Sequence, residues 1–157
     1  MAASEKNLAE AKKVMTVQTI GFDKINMLRH VKYFKDMDGI MAHMAKHKAI
    51  LAPKFNMVLD MLDKEIGELG ILEWNKPNGG YFVSVNTLDG CAKRTVQLCK
   101  EAGVVLTGAG ATFPYGKDPA DKNIRIAPTY PPVSELEQAM NIFCISLKLA
   151  SAEKLLG

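Results

Sequence analysis

Arginine is scarce in this sequence. Of twenty basic residues, seventeen are lysine and only Arg29, Arg94 and Arg125 carry a guanidinium. Lysine is therefore the default surface cation, and each arginine raises the question of whether a planar five-donor fork is needed at its position. The net charge of +3 is mild. The basic residues are scattered, with no cluster interleaved with aromatics, which argues against nucleic acid as a partner. Cysteine is also sparse: Cys91, Cys99 and Cys144 are odd in number and form no CxxC pair, so neither a disulfide framework nor a thiolate metal knot is expected. A reduced, cytoplasmic setting fits that usage. Long apolar runs are missing too. The most hydrophobic stretch, 139–152, is interrupted by Asn141, Ser146 and Lys148, so no membrane span is expected. The opening MAASEKNLAEAKK has no apolar core of the kind a secretory signal requires.

What remains is the composition of a globular domain, 48% hydrophobic and 24% charged over 157 residues. Leu8, Ala11 and Met15 fall at helical spacing behind Ser4, which predicts a helix over 4–15 with a serine cap. The segment 16–21 breaks that pattern. Asp23 then opens a second helix to Phe34. The clearest element is a stripe of steps of three and four: Ile40, Met44, His47, Leu51, Phe55, Val58, Leu62, Ile66 and Leu69. It predicts one long helix that Pro53 should kink or divide and that Gly67 and Gly70 close.

The period then shortens. LEW (72–74) and YFVSV (81–85) read as strands joined by the turn Lys76-Pro77-Asn78-Gly79-Gly80. Asp89 is the expected cap of a helix reaching Gly103, with Ala92, Val96 and Cys99 inward; VVLT (104–107) and NIRIA (123–127) are expected strands. Ser134 and Glu137 form an S-x-x-E capping box for a last helix whose apolar face runs through Met140, Ile142, Phe143, Leu147 and Ala150. The order predicts an α/β, α+β-like two-layer sandwich of a small sheet and helices.

Few residues suggest chemistry. His43 and His47 stand at i, i+4, but Met-Ala-Lys between them lacks the glutamate of a zinc protease and no third ligand is apparent, so they read as packed or surface histidines and no metal is expected. LTGAGATFPYG (106–116) is a poor phosphate cradle, since Phe113 replaces the third glycine; its glycines read as a turn needing positive φ or close backbone approach. No Ser-His-Asp or Cys-His order is present, and Cys91 and Cys99 read as helix-face residues. Arg125 differs. In NIRIA, Ile124 and Ile126 point to one face and Arg125 to the other. That leaves two readings open: an edge-strand charge in solvent, or a rigidly mounted fork for a carboxylate.

PNGGYFVSV (77–85), EAGVVLTGAGATFPYG (101–116), NIRIAP (123–128) and the helix PPVSELEQAM occur in an order and spacing that resemble class I/II aminotransferases of fold type I. The resemblance is to an aspartate-aminotransferase-like bacterial branch. It extends back through TIGFDKINMLRHVKYF and KHKAILAPKF, and so covers essentially the whole chain. It implies that residues 38–157 are the small C-terminal domain of such an enzyme, entered by the long helix, and that residues 1–37 are the last pieces of its large domain. It implies pyridoxal 5'-phosphate as cofactor, amino-acid and 2-oxo-acid substrates, and a cytoplasmic homodimer. The arginine of the R-x-A-P motif binds the substrate α-carboxylate in this family, a role that passes to Arg125; Gly80 and Tyr81 should line the substrate side. Gln18 and Thr19 match a loop that reaches the cofactor site of the neighbouring subunit. The sequence departs from the family in lacking the large-domain segments that supply the cofactor lysine, the aspartate for the pyridine nitrogen and the phosphate donors. No catalytic residue is therefore expected in this chain, and alone it should not transaminate. Other readings are a lyase or decarboxylase on the same fold, an effector-sensing domain of a transcriptional regulator, and a free-standing interaction domain.

Overall fold

The structure is a computed structural model that describes residues 2–157. It divides into two compact units, residues 1–47 and 48–157.

The first unit is helical. Helix α1 (Glu5–Gln18) starts where expected, with the Ser4 hydroxyl accepting the Asn7 N–H, and continues through the β-branched residues that were expected to end it. Helix α2 (Lys24–Phe34) is capped by Asp23, whose carboxylate accepts the Asn26 N–H at 2.9 Å. Lys35 turns the chain with φ of 64°, and Asp36 then accepts the Gly39 N–H at 2.9 Å at the start of α3 (Met37–Ile66). Neither α1 nor α2 contains a buried residue. Val17 is 88% exposed and Ile25 76%, so this unit has no core of its own.

Helix α3 begins at Met37, close to the domain boundary expected at 37/38, whereas the boundary between compact units falls inside the helix. Pro53 sits within α3 without dividing it. The apolar stripe is unequal along its length. Val58, Leu62 and Ile66 are buried, while Met44 and His47 are exposed.

The second unit is a two-layer α/β sandwich. Strands β1 (Leu72–Trp74), β2 (Val83–Thr87) and β3 (Asn123–Ile126) form an antiparallel sheet in the order β1-β2-β3. Strand β2 begins later than expected, by an even step, so Tyr81 and Phe82 precede the ladder without changing which side chains share a face. Val83, Val85, Ile124 and Ile126 face a core completed by the second half of α3, by α4 (Ala92–Glu101) and by α5 (Val133–Leu156), with Phe143 and Leu147 at its centre.

Three sequence expectations fail here for identifiable reasons. VVLT forms no strand because it has no partner ladder; Val105 is 83% exposed. Asp89 does not cap α4. The residue before the helix is Cys91, and the first free N–H groups go instead to Asp121: Ala92 N–H to its carbonyl at 2.9 Å and Lys93 N–H to its carboxylate at 3.2 Å. The Ser134–Glu137 capping box does not form, because α5 starts at Val133 behind Pro132 and Ser134 is already inside the helix. On α5, Met140, Phe143, Leu147 and Ala150 are buried as expected, and Ile142 is half-buried.

Candidate functional site

Antiparallel pairing places Ser84 opposite Arg125 and Asn86 opposite Asn123. With Phe82, these residues form the sheet face turned away from the helices. Arg125 lies on this face, as the alternation with Ile124 and Ile126 required.

Its setting is that of a held but unpaired cation. The guanidinium carbon lies 4.2 Å from the centroid of the Phe82 ring, a cation–π contact that restrains the fork. The residue is only partly exposed, its Nε is buried without a hydrogen-bond partner, and it forms no ion pair among the described residues. A buried donor on a charged group costs stability unless an acceptor meets it. A carboxylate offers two acceptor oxygens at the spacing of the fork.

The strand that carries Arg125 is anchored on both sides. Asn123 is 7% exposed. Its amide donates to Ser84 Oγ (3.1 Å), Asn86 Oδ1 (2.8 Å) and the Val85 carbonyl (3.3 Å), and its Oδ1 accepts from the Thr112 hydroxyl at 2.5 Å. Just upstream, the Asp118 carboxylate accepts the backbone N–H groups of Ala120, Lys122 and Asn123 at 2.8 to 3.0 Å. The Asn123 N–H, followed by those of Lys122 and Ala120, holds its carboxyl below the usual aspartate range against the opposing effect of desolvation. Beyond the strand, Lys54 on α3 donates to the Thr129 carbonyl at 2.7 Å. Sequence reading missed Asn123 and Asp118; an Asx residue just before a short strand was the only available signal.

The glycine-rich loop serves this anchoring. The Gly110 N–H donates to the Asn123 carbonyl at 3.1 Å. A Cβ on Gly110 would stand 2.9 Å from the Gly116 carbonyl oxygen, and φ there is +77°, so both close approach and positive φ demand glycine. Three more of the loop's amides are turned inward: Ala111 to Gly108, Phe113 to Gly110 and Gly116 to Phe113.

Gly80 (φ +92°) and Tyr81 (60% exposed) directly precede Phe82, at the end of the turn entering β2. Gln18 and Thr19 lie in the first unit: Gln18 is exposed at the end of α1, and Thr19, half-buried, donates its hydroxyl to the Gly21 carbonyl at 2.6 Å. His43 and His47 are also in the first unit, with their Nε2 atoms 3.0 Å apart. No cluster of three or more metal-ligating side chains occurs among the described residues. No helix among them is long and apolar enough to cross a membrane.

The family model described as aspartate amino-transferase matches residues 1–157. An aspartate aminotransferase of Corynebacterium glutamicum is 49% identical over 137 residues, covering 87% of this chain and 32% of that protein. A candidate aminotransferase of Mycolicibacterium smegmatis is 46% identical over all 157 residues, which is 37% of its own length. Among solved structures, an aspartate transaminase of Corynebacterium glutamicum superposes with a TM-score of 0.87 at 45% identity, over 97% of this chain and 36% of that one. An α-aminoadipate aminotransferase of Thermus thermophilus, at 16% identity and a TM-score of 0.73, shares the fold. The chain thus spans between 32% and 38% of the length of these relatives.

Proposed function

The chain belongs to the aspartate amino-transferase family, and we propose that it is the C-terminal part of a pyridoxal-phosphate-dependent aminotransferase whose substrate carboxylate is gripped by Arg125. The observation that carries this reading is the Arg125 fork: stacked on Phe82, mounted on an anchored strand, and left with a buried Nε that has no acceptor. A bidentate carboxylate on the accessible part of the fork supplies the missing countercharge.

Several of the polar groups present that could approach a cofactor phosphate are already engaged. In the one loop resembling a phosphate cradle, the amides of Gly110, Ala111, Phe113 and Gly116 are spent on the loop itself and on Asn123. Lys76 pairs with Asp63, Lys148 with Glu65, and Lys54 is held by the Thr129 carbonyl. The cofactor's seat and the reacting lysine belong to the rest of the protein, and pyridoxal phosphate, when bound there, supplies the electron sink for amino transfer.

This chain's contribution is binding and orientation. Arg125 holds the α-carboxylate shared by amino acid and 2-oxo acid, and two parallel N–H···O bonds fix its plane, leaving the Cα–H presented in one direction. Gly80 and Tyr81 border the same entry. Gln18 and Thr19 are assigned to the neighbouring subunit's cofactor site in a cytoplasmic homodimer. The exposed apolar side chains of the first unit support its burial against further protein.

The test is amino transfer by the full-length protein from aspartate to 2-oxoglutarate, followed by release of oxaloacetate. Turnover by the full-length protein and none by this chain is the expected result. Elimination or decarboxylation of aspartate in place of transfer would overturn the assignment.

A further inference from the structure

The first unit contains a histidine pair that the carboxylate site does not use. His43 is half-buried and His47 exposed, one turn apart on α3, and their Nε2 atoms are 3.0 Å apart. The rings meet edge to face, with centroids 4.6 Å apart. The other nitrogen of His43, Nδ1, faces the Tyr33 hydroxyl at 3.5 Å. The rings of Tyr33 and Phe34 stand edge-on to His43 at 5.6 and 5.3 Å, which holds its imidazole in place. Helical spacing alone allows two such rings to point apart; here they converge through the same nitrogen.

We propose that His43 and His47 form a bidentate site for a divalent transition-metal cation of the copper or nickel class, bound through both Nε2 atoms. Without the ion, two imidazole nitrogens at 3.0 Å share one proton, so one ring must donate and the other accept. With the Tyr33 oxygen accepting from His43 Nδ1–H, the His43 Nε2 lone pair faces outward and His47 Nε2–H is the donor. The ion takes the place of that shared proton. Neutral His47 shifts its proton from Nε2 to Nδ1, so no net proton is lost.

The separation suits one class of ion best. Two bonds of about 2.1 Å each, closed across 3.0 Å, meet at about 90°. That is the cis angle of square-planar and tetragonal sites, which suits copper and nickel; a tetrahedral zinc needs its nitrogens further apart. Nitrogen donors exclude magnesium and calcium, which take oxygen ligands. The Tyr33 hydroxyl near Nδ1 and the edge-on rings of Tyr33 and Phe34 restrict the aim of His43. Water completes the coordination sphere on the exposed side.

The test is calorimetric titration of the untagged 157-residue chain with copper(II) chloride, with electron paramagnetic resonance of the complex and circular dichroism to confirm helicity. One saturable site with two nitrogen couplings is expected. His47→Gln and His43→Gln should each weaken it roughly tenfold or more, because the second contact of a chelate acts at high effective concentration. His30→Gln should leave it unchanged, since that ring hydrogen-bonds the Asn26 carbonyl on its own helix. Absence of saturable binding, retention of affinity in a folded His47→Gln chain, or equal loss in His30→Gln would each overturn the assignment.

Discussion

The guanidinium of Arg125 on β3 lies over the ring of Phe82, just before β2, at 4.2 Å, and the two share the sheet face opposite the core. The ring covers part of the guanidinium, and the Nε donor is buried beside it without a partner. A cation held this way is ready for a carboxylate in its own plane.

Phe82 is therefore a positioning residue for the fork. Phe82→Ala in the full-length enzyme should weaken substrate binding by about 1 kcal/mol, the worth of an exposed to partly desolvated cation–π contact. The loss should appear mainly in KM, roughly fivefold, and Phe82→Trp should restore it. Steady-state kinetics of the three forms checks this; an unchanged KM in Phe82→Ala removes Phe82 from the site.

Asp118 links the anchoring of β3 to acid stability. Its folded carboxyl titrates below the usual aspartate range because three backbone N–H groups stabilise the anion. The stability this contributes is complete above the unfolded-state value, and is lost as pH falls from there through the lower folded value. Thermal unfolding of Asp118→Ala should show a lower Tm at neutral pH and a smaller further decline on acidification than the parent chain. Parallel pH profiles would contradict the role.

The three cysteines should be inert in the folded chain. Burial pushes Cys144 from 9.0 up to about 11, and raises Cys91 and Cys99 as well. Thiol reactivity requires the thiolate, so reaction with a disulfide reagent at pH 8 should be slow until denaturant is added. Because the folded state retains the thiol proton, the stability contributed by Cys144 is full below about 9 and lost as pH rises towards 11. Rapid native-state labelling of Cys144 would show that the core opens more readily than its packing implies.

The parts of the fold legible in the sequence were those set by local rules. Ser4 and Asp23 cap their helices through bonds spanning three residues, and the alternation Ile124-Arg125-Ile126 alone told which way the arginine points. What stayed hidden depended on distant partners. The amides at the start of α4 are met by Asp121, remote in sequence, so Asp89 looked like the better cap. VVLT has strand-like composition, but a strand needs a neighbour and none is adjacent. At the site, the setting of Arg125 could not be read from its strand alone, because Phe82 comes over it only once the β2–β3 register is known. The histidine pair was visible as spacing, whereas the convergence of its Nε2 atoms was not.

The most direct test of the central reading is Arg125→Lys in the full-length enzyme. Lysine keeps the charge and loses the planar fork, so kcat/KM for aspartate should fall by about 2–4 kcal/mol in transition-state stabilisation, as for a broken charge-assisted pair. An unchanged kcat/KM would contradict the assignment of Arg125 as the carboxylate-binding residue.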